Sequence, residues 1–183
     1  MTSQEYVAVL EELLKPCVVR QGNSIELTEH DKITKCPTIT ISSTGISAVL
    51  RVEQKHFPFF NDTVKGLNSS CDYIVLSALP DNKLGVLFCE MKSGNTSSAP
   101  KQMYASKIFF DFLNATVIRI KPETQGMQQI LKGVIFSSGA PIMKGTTKAR
   151  KSSLAKKQSS VYRGLEIFAM PCKGSKKLQD FFI

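Results

Sequence analysis

The chain has 183 residues, 42% of them hydrophobic, with 24 Lys and Arg against 15 Asp and Glu for a formal net charge of +9. That length suits one domain with a real core and leaves too little for two. No apolar run approaches the ~20 residues that span a bilayer, and the opening Met1-Thr2-Ser3-Gln4-Glu5-Tyr6 has neither the basic nor the apolar part of a secretory signal. The expectation is therefore a cytoplasmic protein, or a nuclear one in a eukaryote, with no membrane partner.

Residues 3–15 predict an amphipathic helix. Tyr6, Val7, Val9, Leu10, Leu13 and Leu14 form its apolar side, Glu5, Glu11 and Glu12 flank it, and Pro16 ends it. Residues 20–36 are polar and read as loop. The alternation at Thr38–Ser42 predicts a strand, and residues 46–53 predict another. A long connection, 54–70, carries Phe57, Phe59 and Phe60, read as packed loop residues rather than a base-stacking platform. Residues 72–92 predict a β-hairpin, because two apolar, β-branched and aromatic runs flank Pro80-Asp81-Asn82.

A polar turn at 93–98 follows, with Ser98 as a helix N-cap and Pro100 early in the helix. Residues 101–113 then carry Met103, Tyr104, Ile108, Phe109, Phe112 and Leu113 at helical spacing. The remaining pattern predicts a short strand at 116–120, a helix at 122–131 and a buried strand at 133–137. Residues 139–160 lack apolar periodicity and read as a mobile basic loop. A strand at 161–170 and a short helix within 173–183 close the chain. The order predicts one α/β domain spanning 1–183, with a central mixed sheet flanked by helices.

Cys17, Cys36, Cys71, Cys89 and Cys172 are odd in number, widely spaced and without a Cys-x-x-Cys pair. They suggest neither a zinc site nor a disulfide framework, which makes a reducing compartment the simplest setting. The charge is uneven. Residues 140–183 hold 10 basic and 2 acidic side chains, against 14 and 13 in residues 1–139. A basic end on a nearly neutral remainder is a polyanion-binding footprint, with a solvated loop as the bland alternative.

Asp72 and the triplet Glu90-Met91-Lys92 are the candidate chemistry. Folding the hairpin about residue 82 sets Asp72 opposite Lys92, with Glu90 at the same end of the sheet. Glu90 and Lys92 share a face and Met91 points away. Asp72 joins that face only if the turn has an odd number of residues or a bulge shifts the register. The same alternation sends Cys71 and Cys89 to the opposite face with Tyr73, Val75 and Leu87.

Two carboxylates and a lysine at one end of a basic protein point to a Mg²⁺ or Mn²⁺ site that cuts a phosphodiester. Asp72 and Glu90 would supply hard oxygen ligands, and the Met91 carbonyl a third. Lys92 would position the attacking water or stabilise developing charge. Gln102 would orient the water or a carboxylate, and Lys101 lies in the first turn of a helix whose N-terminus attracts phosphate. Glu-x-Lys alone is a weak signal, since Glu53-Gln54-Lys55 repeats it. Glu90 is favoured because it ends an apolar strand and has an acidic partner one hairpin earlier. Asp81 reads as a turn former, ~25–30 Å from Glu90 along an extended strand. His30 and His56 fall outside the constellation.

Asp72, Glu90-Met91-Lys92 at a strand end and Gln102 in the following helix resemble the PD-(D/E)XK nuclease superfamily, most of all its small stand-alone members. The resemblance covers about residues 1–137. It implies a restriction-endonuclease-like fold with a four-stranded mixed sheet, a site at one sheet edge, and metal-dependent endonuclease activity. It also implies a further Glu from the first helix, for which Glu5, Glu11 and Glu12 are equal candidates. Cys71 stands where the family name has Pro.

The expected partner is nucleic acid, DNA ahead of RNA, gripped by Lys101 and by Lys144, Lys148, Arg150, Lys151, Lys156 and Lys157. Self-association as a homodimer stays open. The rival reading is a nucleic-acid-binding or protein-interaction module on the same fold that cuts nothing.

Overall fold

The computed structural model describes residues 1–14, 18–29, 35–51, 61, 63–138, 158–174 and 176–183. His30, His56, Phe57, Phe59, Phe60, Glu53 and Cys17 lie outside the described residues, as do Lys144, Lys148, Arg150, Lys151, Lys156 and Lys157. Within the described residues the chain forms helix α1 (Ser3–Leu13), strands β1 (Val18–Gln21), β2 (Ser24–Thr28), β3 (Thr38–Ser42), β4 (Ser47–Arg51), β5 (Tyr73–Leu79) and β6 (Lys83–Lys92), and helix α2 (Ala99–Ile120). Strands β7 (Gln129–Ser137), β8 (Gln158–Tyr162), β9 (Leu165–Pro171) and β10 (Lys176–Lys177) complete it, with a 3-10 turn at Leu178–Phe181.

This is an α/β fold with a mixed sheet. Seven strands run in the order β1-β4-β5-β6-β7-β9-β8, and a separate three-stranded sheet runs β10-β3-β2. The β6–β7 and β7–β9 pairs are parallel and the other pairs of the large sheet antiparallel. Seven strands exceed the four implied by the family resemblance.

Both faces of the large sheet are covered. On one, Ile74, Leu76, Val86 and Phe88 pack against Tyr6 and Leu10 of α1 and Met103 and Phe110 of α2. Phe88 and Phe110 meet edge to face at 6.3 Å. On the other, Val75, Leu87, Cys89 and Phe136 pack against Ile25, Leu27, Ile39 and Ile41 of the small sheet. Gly133 lets α2 lie close over β7, since a Cβ there would come within 2.8 Å of Met103 Sδ.

Several elements differ from expectation. The 20–36 segment is not all loop. It carries the end of β1 and all of β2, whose Ile25 and Leu27 are buried opposite Ile41 and Ile39. Residues 116–120 are not a strand. They continue α2, because Val117 extends the buried stripe of Met103, Ser106, Phe110 and Leu113. That stripe's spacing outweighs the β propensity of Thr116, Val117 and Ile118. Residues 122–131 are not a helix. A 3-10 turn at Pro122–Thr124 ends there, Gly126 has φ +87°, and β7 begins at Gln129. The single strand at 161–170 is a hairpin, β8–β9, that also takes in 158–160 from the expected basic loop. The closing segment forms β10 and a 3-10 turn.

The cysteine expectation also fails. Cys36 and Cys172, 136 residues apart, form a disulfide with Cα atoms 5.6 Å apart. Cysteine usage therefore no longer argues for a reducing compartment. No helix among the described residues is long and apolar enough to cross a membrane.

The crossover β6-α2-β7 brings the carboxyl ends of three parallel strands together, with Lys92 beside Ser137 and Ser137 beside Pro171. Open α/β sheets bind ligands in the crevice beyond such ends. β5 runs antiparallel to β6, so its entry, at Asp72, arrives at that edge.

Candidate active site

The hairpin turn is the three residues Pro80–Asn82, an odd number. Asp81 and Asn82 take left-handed φ of 58° and 56°, as short polar turn residues tolerate. The pairs run from Leu79 opposite Lys83 to Tyr73 opposite Cys89. Continued by one residue, this register sets Asp72 opposite Glu90, not opposite Lys92, because the turn is centred on Asp81 rather than on residue 82. Alternation along β6 puts Glu90 and Lys92 on the helix-covered face with Val86 and Phe88, while Met91 joins the opposite core. Asp72, one residue before β5, lies within electrostatic reach of Glu90.

Cys89 packs with Tyr73, Val75 and Leu87 as expected, but Cys71 belongs to the helix-side core. It precedes β5, so strand alternation does not govern it. The ladder ends here in an unusual way. Residues 71 and 91 would be the next pair, yet Met91 N–H donates to Asp72 Oδ2 at 2.7 Å and Cys71 N–H donates to Ser106 Oγ at 2.8 Å. The Met91 carbonyl, which lies on the same side of the strand as its N–H, thereby loses its ladder donor and faces the Asp72 side.

Glu90 is fully buried, at 0% exposure. Lys92 Nζ is ion-paired with Glu90 Oε1. The Lys92 ammonium and the Asp72 backbone N–H both approach the Glu90 carboxylate and favour its ionised form, but neither is well aligned as a hydrogen bond. Burial, then the charge of Asp72, pushes the Glu90 carboxyl from its ordinary 4.5 up to about 8, against the opposing pull of Lys92. Asp72 is also raised, by burial first; the Met91 N–H opposes that, the charge of Glu29 adds to it, and Lys92 and Arg51 oppose it.

With both carboxyls ionised, Asp72 and Glu90 would outnumber Lys92 by one negative charge. Without a cation that cost is met by Glu90 keeping its proton, the direction in which its carboxyl is pushed. Hard oxygen donors with open valences suit a divalent ion, so the residues fit Mg²⁺ or Mn²⁺. Among the described residues no cluster of three or more His, Cys, Asp and Glu side chains surrounds the site. The oxygens available to such an ion would be those of the two carboxylates and the Met91 carbonyl.

Gln102 does not face the carboxylates directly. Its Nε2 donates to the Ser70 carbonyl at 3.2 Å, and its Oε1 accepts from Ser98 Oγ at 3.0 Å. Ser98 is the N-cap residue of α2 but makes no capping bond. Gln102 and Ser106, one helical turn apart, thus both hold the segment that delivers Asp72. Ser106 was invisible to sequence reasoning, although its place four residues after Gln102 was a signal. Lys101 is exposed on the first turn of α2.

Glu5 closes a capping box with Thr2. Ser3 N–H beside it donates to Asn82 Oδ1, so Glu5 sits at the turn end of the hairpin, about 26 Å along the strand from Glu90. Glu12 is exposed, and neither it nor Glu11 joins Asp72 and Glu90 in a ligand cluster among the described residues. The carboxylate that does reach Asp72 electrostatically is Glu29, at the end of β2 in the segment expected to be loop. Asp81 is solvent-exposed and pairs with Lys83 at 3.6 Å, away from the site. No protein-family model, curated protein or solved structure matches the chain.

Proposed function

We propose that the chain is a metal-dependent endonuclease with a restriction-endonuclease-like core. One observation carries this reading: a fully buried Glu90, its oxygens without aligned hydrogen bonds, set opposite Asp72 with Lys92 at its side. The succession of antiparallel hairpin, helix and parallel strand in β5, β6, α2 and β7 supports the fold assignment.

Asp72, Glu90 and the Met91 carbonyl would hold Mg²⁺ or Mn²⁺. The ion supplies Lewis acidity toward a phosphate oxygen and a lowered pKa for water. Lys92, 23% exposed, is open to substrate on one side and held by Glu90 on the other. Its ammonium stabilises charge that builds on the phosphate. Gln102 acts through Ser70 and positions Asp72 rather than touching substrate. A net charge of +9 favours a polyanion, with DNA as the leading substrate and the 144–157 lysines and arginine as added phosphate contacts.

Labelled duplex and single-stranded DNA and RNA, incubated with Mg²⁺, Mn²⁺ or EDTA, test the proposal. Cleavage should require the metal and vanish in Asp72→Ala and Glu90→Ala, while Asp81→Ala cuts normally. Metal-independent cleavage, or cleavage by Asp72→Ala at the wild-type rate, overturns it. Metal-insensitive binding without cutting would leave the rival reading, a module that binds and does not cut.

A further inference from the structure

A groove of about 570 Å³ runs along the outer face of the small sheet, lined by Lys35, Thr38, Thr40, Ser42, Lys173 and Lys176 among others. The exposed Glu26, opposite Thr40 on β2, is the carboxylate of that face among the described residues. Its position and lining are not explained by the metal site. In β3 the hydrophobic Ile39 and Ile41 face the core, so Thr38, Thr40 and Ser42 project outward as a row of hydroxyls. They repeat every second residue, about 6.7 Å, close to the separation of successive phosphates along an extended nucleic-acid strand.

The basic groups come from two segments held together. Lys35 precedes Cys36 and Lys173 follows Cys172, and those cysteines are bonded with Cα atoms 5.6 Å apart. Both lysines are exposed, and neither makes an ion pair among the described residues. The buried Lys176 fixes the second segment, donating to the carbonyls of Cys172, Lys173 and Gly174 at 3.1, 3.2 and 2.8 Å.

The groove begins at the edge that carries the carboxylates. Lys35 N–H donates to Ser93 Oγ at 3.1 Å, one residue past Lys92. Cys172 N–H donates to the Ser137 carbonyl at 3.1 Å, and Ser137 lies beside Lys92. Two strand spacings, ~10 Å, separate β6 from β9 at this edge.

We propose that this groove binds the backbone phosphates of the DNA strand that leaves the Asp72–Glu90 site, with Lys35 and Lys173 as its charged contacts and Thr38 and Thr40 as hydroxyl donors, the Ser42 hydroxyl being given to the Lys176 carbonyl at 3.1 Å. For the identity of its ligand the proposal rests on the nuclease reading. The contacts go to phosphate, so they position the strand without reading its sequence.

The test compares wild type, K35Q/K173Q and K121Q, whose lysine lies at the far end of α2. Binding of a short labelled DNA duplex is measured in EDTA over a series of NaCl concentrations. K35Q/K173Q should bind every sequence more weakly, with a log–log salt slope shallower by ~0.9 for each phosphate no longer neutralised. K121Q should match wild type. An unchanged affinity and slope in K35Q/K173Q overturns the groove, as does a wild type that fails to bind duplex in EDTA. Cleavage in Mg²⁺ is read separately. A wild type that cuts while K35Q/K173Q keeps its affinity and slope removes the groove and leaves the nuclease. A wild type that binds through these lysines and never cuts removes the nuclease and leaves a phosphate groove.

Discussion

Met91 donates its backbone N–H to Asp72 Oδ2 at 2.7 Å, and that bond holds the carboxylate across from the buried Glu90. A ladder hydrogen bond has been exchanged for one to a side chain, at the edge where three parallel strands end. The exchange is possible because Ser106 takes the Cys71 N–H that would otherwise pair with Met91.

Ser106→Ala is therefore expected to leave the Cys71 N–H buried without an acceptor, at about 1–3 kcal/mol. It should also loosen Asp72. Denaturant unfolding should show the stability loss, and kcat should fall with it while KM changes less. Gln102→Ala should do the same more weakly, since that side chain is only partly buried. A Ser106→Ala protein that is destabilised yet turns over normally would remove Ser106 from the site.

Lys92→Ala is expected to lower the cleavage rate by ~10²-fold or more, the scale of removing one charged group that stabilises the transition state. Duplex affinity should move far less. Pre-steady-state rates on saturating substrate make the distinction. A loss confined to affinity would reassign Lys92 to phosphate binding.

The elevated Glu90 carboxyl sets a sign for stability against pH. Its folded value, about 8, lies above the ordinary 4.5, so the folded state holds the proton more tightly than the unfolded one. The associated stability is complete below about pH 4.5 and is lost as pH rises through about 8. Glu90→Gln removes the charge and should melt close to wild type at acid pH. Above pH 8 in EDTA it should melt higher, by ~2–4 °C for each kcal/mol relieved. Mn²⁺ should raise the wild-type Tm at high pH and leave Glu90→Gln unmoved. A Tm difference independent of pH would show that Glu90 does not carry the burden of its burial.

Cys172→Ser should cost about 2–5 kcal/mol, because the bridge closes a long loop. Dithiothreitol should reproduce the loss in wild type. Cys71 and Cys89 are buried thiols and should react with a thiol reagent only after denaturation, while Cys36 and Cys172 should need a reductant as well. Reaction of Cys36 or Cys172 in unreduced protein would show that the bridge is not made.

The hairpin, its turn, Glu90 with Lys92 on one face and the seat of α2 were legible in the sequence by itself. Each depends on local rules: alternation along a strand, apolar spacing along a helix, and turn residues that accept a left-handed backbone. The placement of Asp72 opposite Glu90 needed the one-residue centring of the turn on Asp81, which Pro80-Asp81-Asn82 leaves ambiguous. β2 was illegible because its alternation is short and its partner β3 lies beyond a polar segment. The 116–120 segment was misread because β-branched residues outvoted a helical stripe that only packing on the sheet enforces. Glu29 near Asp72, Ser106 under Cys71 and the Cys36–Cys172 bridge join segments far apart in the chain. No local pattern encodes such pairings. They follow from two sheets and two helices closing around shared cores, and that closure decides which polar groups end at the carboxyl edge.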